Sequence, residues 1–396
     1  MMKMPARARA RALALASVPS LTLALGACSG KLSEAPASPD AAVTVGPDAS
    51  TPTEGGAAPT GCAARALAVR EALPATAADN PLDPLGYMPF AEDGCGLVYV
   101  SGQDRHLYRL AFDTGERVEL ESLSRPTRPS ARDGLVAWEA VDASGRGVVR
   151  VRVGSAEPIT IPGAYTRAFE PRVGVDAVVY TFTRDDPERE DADLDVAVFT
   201  PSTRTVAVVG EGPGQQRFGA LGKGRVAYTD FAEDPTGVFS RTEPRAADVV
   251  VVDLATGART VRSAPGKQAF PLLADDGLLV YTDFGAVHPE PKFGTYAIKV
   301  GRFDAPVASD RVVHERPTIG SATPWIQPAL GQGLVSWVED DARLFVRATS
   351  LEAPPTLLST RPAGFVGVVH GGLAAYVAAR SETARSQVFV ESRALR

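Results

Sequence analysis

The sequence contains few of the residue types on which catalytic and metal sites depend. Only four histidines and three cysteines occur among its 396 residues. It also lacks a Gly-x-Ser-x-Gly elbow, a His-Glu-x-x-His motif and a glycine-rich phosphate loop, which are the motifs that indicate hydrolase, metalloprotease and nucleotide chemistry. No catalytic constellation is recognisable, and no cofactor is expected.

The composition also disfavours long helices. The chain has 32 prolines and 37 glycines, both of which interrupt helices, while its short runs rich in Val and Thr favour strands. With 44% hydrophobic and 22% charged residues, it has the composition of a globular protein. We therefore predict an all-β fold with a large core.

Residues 1–27 have the features of a lipoprotein signal peptide. A basic start is followed by an apolar segment, residues 13–25, that is too short to span a membrane comfortably. The next stretch, Leu25-Gly26-Ala27-Cys28, resembles the bacterial lipobox, in which the cysteine is diacylated and becomes the mature N-terminus. An ordinary secretory signal cleaved near Ala27 is the alternative. The resemblance implies a lipid anchor at Cys28, and Ser29 implies the periplasmic side of the outer membrane, with the cell surface as a further option.

Lysine is scarce, and positive charge is not in excess. Only six of the 41 basic residues are lysines, and the formal net charge is −6. Removing the signal peptide would take away four more positive charges. This acidic balance argues against a nucleic-acid partner and against electrostatic binding to anionic lipids. The expected contact with the membrane is through the lipid anchor only.

Residues 28–60 are predicted to be a disordered linker, because the segment is composed mainly of Ala, Pro, Ser, Gly, Asp and Thr and has little to bury. Residues 61–396 remain for the folded domain. Cys62 and Cys95 would lie in an oxidising compartment after export, so a disulfide between them is predicted. Two unrelated buried thiols are the alternative.

One stretch, residues 270–284 with the sequence FPLLADDGLLVYTDF, recurs along the chain. An Asp-Gly pair typical of a turn joins two short apolar segments, and the second contains an aromatic residue near its end. The aromatic residues of the seven copies are Tyr99, Trp138, Tyr180, Tyr228, Tyr281, Trp337 and Tyr376. A proline or glycine stands nine or ten residues before each: Pro89, Pro129, Pro171, Gly219, Pro271, Pro328 and Gly367.

Each copy continues with a third strand and, after a short turn, a fourth. Four strands repeated every 39 to 56 residues are typical of the blades of a β-propeller. The last copy ends after its third strand, so we predict seven blades, with residues 66–72 supplying the outer strand of the last one. A six-bladed ring with an additional hairpin is the alternative.

This pattern, P-x-x-x-x-D-G-h-h-x-aromatic (h, hydrophobic) followed by a strand that ends near Asp and Thr-Gly, resembles the TolB-type, or WD40-like, propeller repeat. The resemblance covers residues 86–396. It departs from better-preserved members of the family in having Leu or Val where they have Trp-Ser. The resemblance implies the propeller fold and no particular activity.

Loop length distinguishes one side of the predicted propeller. The connections from the second to the third strand are long only in the third, fourth and fifth copies, and the link at residues 315–323 falls on the same side. Binding sites concentrate in long loops on rigid scaffolds. The side chains predicted to contact a partner are Phe231, Phe239, Arg241, Arg245, Asp283, Phe284, His288, Lys292, Phe293 and Trp325.

An acidic segment lies in the loop of the third copy. Asp191, Asp193 and Asp195 alternate as calcium ligands do, but no glycine follows and no glutamate stands at the twelfth position. We interpret the segment as a solvated acidic loop, with calcium as the alternative. No other metal is expected.

Two functional hypotheses follow. The first is a monomeric, non-catalytic scaffold in the periplasm that binds an envelope protein or peptide. The second is an envelope hydrolase or lyase at the mouth of the propeller channel, with Asp230, Asp283 or His288 as acid or base. For both aspartates the simpler role is to cap the start of the loop by accepting backbone N–H bonds. A structural paralogue whose loops have drifted is a third possibility.

Overall fold

A computed structural model of the chain describes residues 73–74, 90–93, 96–101, 104–111, 114–185, 193–231, 247–285, 294–318, 328–331, 333–338, 344–359, 363–370, 373–379 and 386–392. The chain divides into two units, Met1–Gly56 and Ala57–Arg396. All described residues belong to the second unit, and side chains are described only between residues 90 and 357.

The described residues form seven four-stranded antiparallel sheets. The first sheet contains β2 (Phe90–Glu92), β3 (Gly96–Val100), β4 (Leu107–Ala111) and β5 (Arg117–Glu121). The second contains β6 (Thr127–Arg132), β7 (Leu135–Val141), β8 (Gly147–Val153) and β9 (Ile159–Thr160). The third contains β10 (Arg167–Val173), β11 (Val178–Thr183), β12 (Asp195–Thr200) and β13 (Thr205–Gly210).

The fourth sheet contains β14 (Gln216–Gly222), β15 (Arg225–Asp230), β16 (Asp248–Asp253) and β17 (Arg259–Arg262). The fifth contains β18 (Gln268–Leu273), β19 (Leu278–Asp283), β20 (Gly294–Arg302) and β21 (Arg311–Thr318), with a 3₁₀ helix at Val307–Ser309. The sixth contains β22 (Ala329–Gly331), β23 (Leu334–Val338), β24 (Leu344–Ala348) and β25 (Thr356–Ser359). The seventh contains β26 (Ala363–His370), β27 (Leu373–Ala379), β28 (Ser386–Ser392) and β1 (Leu73–Pro74).

The first strands of neighbouring sheets pack against one another. Contacts join β2 to β6, β6 to β10, β10 to β14, β14 to β18, β22 to β26 and β26 back to β2. The fifth and sixth sheets share a hydrophobic cluster that includes Phe270 and Trp337. The first strands therefore form the inner wall around a central axis, and the prediction of an all-β propeller is confirmed.

The repeated aromatic residues lie on the second strands and form the core between sheets. Tyr99, Trp138, Tyr180, Tyr228, Tyr281 and Trp337 are each at most 2% exposed. Burying a large apolar side chain contributes roughly 2–3 kcal/mol. These buried aromatic residues therefore stabilise the packing between sheets.

The repeated proline or glycine lies at a bulge in the inner strand. The pairing register shifts between Phe169 and Arg172 in β10 and between Ala269 and Leu272 in β18, so that Pro171 and Pro271 each fall within the shift. A bulge residue need not donate a ladder hydrogen bond, so proline is tolerated there.

The N-terminal strand completes the seventh sheet. Leu73 pairs with Val388 and Pro74 with Gln387, so β1 lies at the edge opposite β26. The strand predicted to occupy this place, residues 66–72, lies outside the described residues, and the observed strand begins directly after it.

The two ends of the sheets differ in the length of their connections. The first-to-second connections are two to four residues long, and we call the end where they lie the turn face. The second-to-third connections and the links between sheets lie at the other end, which we call the loop face. Over the described part of the chain, no helix has the length and apolar character needed to cross a lipid bilayer.

Candidate functional site

The loop face of the third, fourth and fifth sheets carries the longest second-to-third connections. Eleven residues separate β11 from β12, 17 separate β15 from β16, and ten separate β19 from β20. The equivalent connections in the first, second, sixth and seventh sheets have five or six residues. The strand boundaries therefore agree with the loop asymmetry predicted from the sequence.

Asp230 and Asp283 end their strands at the base of two of these loops. Each is paired across the sheet with the first residue of the inner strand, Gln216 or Gln268. Gln216 Nε2 donates to Asp230 Oδ1 at 3.0 Å, and Gln268 Nε2 donates to Asp283 Oδ1 at 3.1 Å. The same type of glutamine–aspartate hydrogen bond therefore fixes the C-terminal end of β15 and of β19.

Asp283 makes two further contacts. Its Oδ1 accepts the backbone N–H of Gly285 at 2.9 Å, and its Oδ2 lies 2.5 Å from Lys299 Nζ. The side chain is 9% exposed. The capping role predicted for Asp283 is confirmed, and its carboxylate is already engaged by three donors.

Phe231 and Phe284 follow these aspartates but do not lie at the surface. They are 2% and 7% exposed. Phe231 packs edge-on to Phe218 at 6.5 Å between ring centroids, and Phe284 packs edge-on to Phe270 at 6.2 Å. The sequence predicts that both rings contact a partner, and the structure corrects this because the first residue after each strand turns inward onto the core.

The acidic segment of the third sheet is anchored by Arg184. Arg184 Nη1 lies 3.3 Å from Asp195 Oδ2 and 3.4 Å from Glu211 Oε1. Asp193 is exposed, whereas Asp195 is 4% exposed. Burial, followed by the charge of Asp193, raises the pKa of Asp195 to about 6.

The calcium alternative gains no support from these residues. Within the described ranges, no group of three or more His, Cys, Asp or Glu side chains is arranged to hold a metal ion. Asp191, the third proposed ligand, lies outside the described residues, so the solvated acidic loop stays the prediction and calcium its alternative.

Most of the other predicted site residues also lie outside the described residues. They are Cys28, Cys62, Cys95, Phe239, Arg241, Arg245, His288, Lys292, Phe293 and Trp325. Their roles as lipid attachment site, disulfide and partner contacts stay predictions.

Sequence reasoning missed a set of inner-wall residues, which we call the belt. Arg128, Glu170, Phe218 and Phe270 occupy the bulges of the second to fifth inner strands, and each has a left-handed backbone with φ of 50°, 55°, 58° and 57°. A non-glycine residue in this conformation costs roughly 1–2 kcal/mol. A signal was available, because each belt residue directly precedes the proline or glycine that marks the repeat.

The charged members of the belt, Arg128 and Glu170, are linked through Glu139 of the second sheet. Arg128 Nη1 donates to Glu139 Oε1 at 2.9 Å, and the same carboxylate oxygen accepts the backbone N–H of Glu170 at 2.7 Å. Glu170 in turn accepts from Thr181 Oγ1 at 2.9 Å and from the Arg217 guanidinium. The two carboxylates therefore hold neighbouring sheets together.

The aromatic members of the belt continue this chain of contacts. The rings of Phe218 and Phe270 lie 4.7 Å apart between centroids. Phe218 is half-buried, and Phe270 is 4% exposed. The belt thus passes from charged to aromatic across the second to fifth sheets, below the long loops.

Comparisons with known proteins identify the fold. No protein-family model matches the sequence, and a search of curated proteins finds no match. Among solved structures, the β-propeller domain of the Trilobed protease from Pyrococcus furiosus is 10% identical, with 77% of this chain and 92% of that chain covered and a TM-score of 0.53. The acylaminoacyl peptidase of Pyrococcus horikoshii is 7% identical, with 77% and 51% covered and a TM-score of 0.53.

A TolB structure from Agrobacterium tumefaciens also matches, at 11% identity, with 59% of this chain and 82% of that chain covered and a TM-score of 0.41. This chain spans about half the length of the acylaminoacyl peptidase. At these identities a structural likeness shows the fold alone. The chain has the β-propeller fold, and TolB proteins and the propeller domains of peptidases are among its structural neighbours.

Proposed function

We propose that this protein is a lipid-anchored periplasmic propeller that binds another envelope protein or peptide, without catalysis, through the loop face of its third to fifth sheets. The observation that carries the proposal is the asymmetry of the connections, 10 to 17 residues in three adjacent sheets against five or six in the others. Extended loops on a rigid scaffold are where binding sites concentrate.

At the base of these loops, hydrogen bonds and an ion pair hold the two aspartates in place. Asp230 and Asp283 are each bonded to a glutamine of the inner strand, and Asp283 also contacts Lys299. A general acid or base must be able to reach its substrate, and a carboxylate already held by three donors is poorly placed for this. The contacts of Asp283 favour the binding hypothesis over a hydrolase or lyase that uses this aspartate as acid or base.

The side chains of the loop face indicate what kind of partner would fit. The third sheet contributes an acidic rim that includes Asp193 and Glu211, and the sequence of residues 186–192 adds more acid. The fourth and fifth sheets contribute aromatic and basic residues, namely Phe239, Arg241, Arg245, His288, Lys292 and Phe293, with Trp325 in the following link. Aromatic side chains and arginine are the usual anchors of protein interfaces, so we expect a protein surface with both basic and apolar groups.

The proposal is tested by replacing residues 232–246 with the five-residue connection of the second sheet, residues 142–146. We expect the melting temperature to stay within a few degrees while capture of the partner from envelope extract is lost. The control replaces residues 201–204, an exposed turn on the opposite face, with a glycine-rich turn of equal length. Retained capture by the loop variant, or equal loss in the control, would contradict the assignment.

The anchor is part of the same proposal. The lipobox-like sequence ending at Cys28 supports diacylation there, and Ser29 supports the outer membrane as the destination. The variant Cys28→Ala is expected to move the protein from the membrane fraction to the soluble periplasm. A variant that remains in the membrane fraction would rule out the anchor without affecting the binding proposal.

We further propose that the seven sheets are seven blades of one closed ring, that Cys62 and Cys95 form a disulfide and that the protein is a monomer. Pairing of β1 with β28 and contact between β2 and β26 support ring closure. A closed ring has no exposed inner edge, which favours a single chain over edge-to-edge association.

A further inference from the structure

One ion pair joins sheets that are not neighbours in the ring. Arg132, the last residue of β6, donates from Nη2 to Asp275 Oδ2 at 2.5 Å and from Nη1 to Asp275 Oδ1 at 3.2 Å. The two residues are 143 positions apart in the sequence. Arg132 belongs to the second sheet, and Asp275 lies in the turn between β18 and β19 of the fifth.

The order of the sheets shows what this ion pair crosses. The third and fourth sheets separate the second from the fifth on one side, and their inner strands β10 and β14 pack in sequence between β6 and β18. A direct contact between β6 and the β18–β19 turn therefore spans the axis instead of following the wall. Both residues stand at the turn face, so the bridge lies across the channel at that end.

The inner strands are also drawn close together at the turn face. A Cβ added at Gly174, just after β10, would lie 2.8 Å from the Leu221 side chain of the fourth sheet. A Cβ added at Gly222 would lie 2.7 Å from the backbone oxygen of Ala274 in the fifth sheet. Neighbouring inner strands are therefore closely packed at this end of the wall.

The exposure of the pair makes the bridge reversible. The side chains of Arg132 and Asp275 are 34% and 36% exposed, and Asp133 Oδ2 lies 3.5 Å from Arg132 Nε as a second acceptor. A half-exposed ion pair is screened by salt and contributes little to global stability, although two parallel hydrogen bonds give it a fixed geometry. The pair can therefore open without unfolding of the ring.

We propose that Arg132 and Asp275 form a latch that closes the turn-face end of the central channel. In the closed state the ion pair obstructs the turn-face end of the channel. In the open state the second and fifth sheets are no longer tied across the axis, and solvent or a solute reaches the channel from both ends.

The latch is tested by hydrogen–deuterium exchange with the variants Asp275→Asn and Arg132→Gln. Because the pair ties two sheets, we expect amide exchange at the turn-face ends of both β6 and β18 to become several-fold faster in either variant. High salt should produce the same joint increase in the unaltered protein. The matched control is Asp304→Asn, which removes the exposed Arg302–Asp304 pair within the fifth sheet and should leave β6 unchanged.

The exchanged pair Arg132→Asp with Asp275→Arg separates a latch from a local packing effect. We expect the double variant to restore slow exchange in both strands. Faster exchange confined to one strand, no change in either single variant, or a folded double variant that stays fast would each overturn the proposal.

Discussion

Asp310 organises a buried polar group between the outer strands of the fourth and fifth sheets. Its carboxylate accepts hydrogen bonds from the Arg262 guanidinium and, at 2.7 Å, from Tyr281 Oη, and the side chains of Arg262 and Asp310 are each 1% exposed. A repeated core aromatic is therefore tied to an ion pair. Space for that pair exists only because residue 301 has no side chain: a Cβ there would overlap Asp310 Oδ1.

Gly301→Ala is accordingly expected to displace Asp310 and to leave Arg262 buried without its partner. Breaking a buried ion pair in this way costs about 3–5 kcal/mol. Gly212→Ala is the matched control, because a Cβ at Gly212 meets only the Gln216 amide nitrogen at 3.7 Å. Urea unfolding measures both, and equal stability of the two variants would contradict the role assigned to Gly301.

Asp195 gives a pH-dependent prediction. Burial raises the pKa of Asp195 to about 6, above its value in the unfolded chain, so the folded protein holds an extra proton between about pH 4 and pH 6. Stability therefore falls as pH rises through that window. Asp195→Asn is expected to be more stable than the unaltered protein at pH 7.5 by about 2 kcal/mol, with the difference disappearing near pH 4.

Asp253→Asn is the control, because its effect on stability is expected to depend on pH in the opposite direction. Hydrogen bonds from Thr256 lower the pKa of Asp253. The ionised carboxylate therefore stabilises the folded protein at neutral pH, and this stabilisation is lost in acid. Urea unfolding at pH 4, 6 and 7.5 distinguishes the two variants. If Asp195→Asn is less stable than the unaltered protein at pH 7.5, the buried charge is not destabilising and the interpretation is wrong.

At the scale of elements, the residue after the core aromatic joins one sheet to the next in the second and fourth sheets. Thr229 follows Tyr228, is fully buried and accepts the backbone N–H of Phe270 at 3.1 Å. Glu139 follows Trp138 and accepts the backbone N–H of Glu170 at 2.7 Å. The bulges in β10 and β18 each turn an N–H toward the preceding sheet, and a side chain on that sheet accepts its hydrogen bond.

Thr229→Val keeps the shape of the side chain and removes this acceptor. We expect a loss of about 1–2 kcal/mol, because a buried N–H loses a hydrogen bond. Thr203→Val on an exposed turn removes a hydroxyl of the same kind from a surface contact with Thr205 and is expected to change stability by less than about 0.5 kcal/mol. Similar effects of the two changes in chemical denaturation would show that the hydrogen bond between Thr229 and Phe270 is unimportant for stability.

The presence of most strands and the conformation of their turns could be predicted from the residues within them. The Asp133-Gly134 turn has φ of 50° and 80°, the conformation that an Asp-Gly pair favours between two strands. A third strand follows the core aromatic in every sheet, as the sequence predicts, because alternation and turn residues are local signals. The fold class follows from the repetition of these signals.

Other features depend on contacts between residues that are far apart in the sequence, and a local sequence pattern does not predict such contacts. The contact between Arg132 and Asp275 joins residues from opposite sides of the ring, and Glu139 contacts Glu170 across a sheet boundary. Phe231 and Phe284 stand at the start of long loops in the sequence, yet their rings pack on Phe218 and Phe270. Whether a side chain at the end of a strand turns inward is decided by the space available in the neighbouring sheet.

At the scale of the whole molecule, two residues of the N-terminal strand complete the last sheet. Because β1 covers the edge of β28, its loss would leave an unpaired edge and an incomplete ring. Replacing residues 71–76 with a Gly-Ser segment of the same length is expected to lower the melting temperature by several degrees. The same replacement at residues 51–56 should have no effect, and an unchanged melting temperature in both would show that closure does not depend on β1.

The two faces of the propeller differ in a way that bears on function. The turn face is compact and bridged by Arg132 and Asp275, whereas the loop face carries three long connections in adjacent sheets. The inner wall beneath those loops changes from paired charges at Glu170 to the aromatic pair of Phe218 and Phe270. A partner is therefore expected at the loop face.

The most direct test of this claim is site-specific photo-crosslinking in intact envelopes. A photoreactive residue is placed at position 239 or 292 on the loop face and, in parallel, at position 202 or 256 on the turn face. We predict that both loop-face positions crosslink to the same protein and that the turn-face positions do not. Crosslinks to a common protein from the turn face, with none from the loop face, would contradict the account.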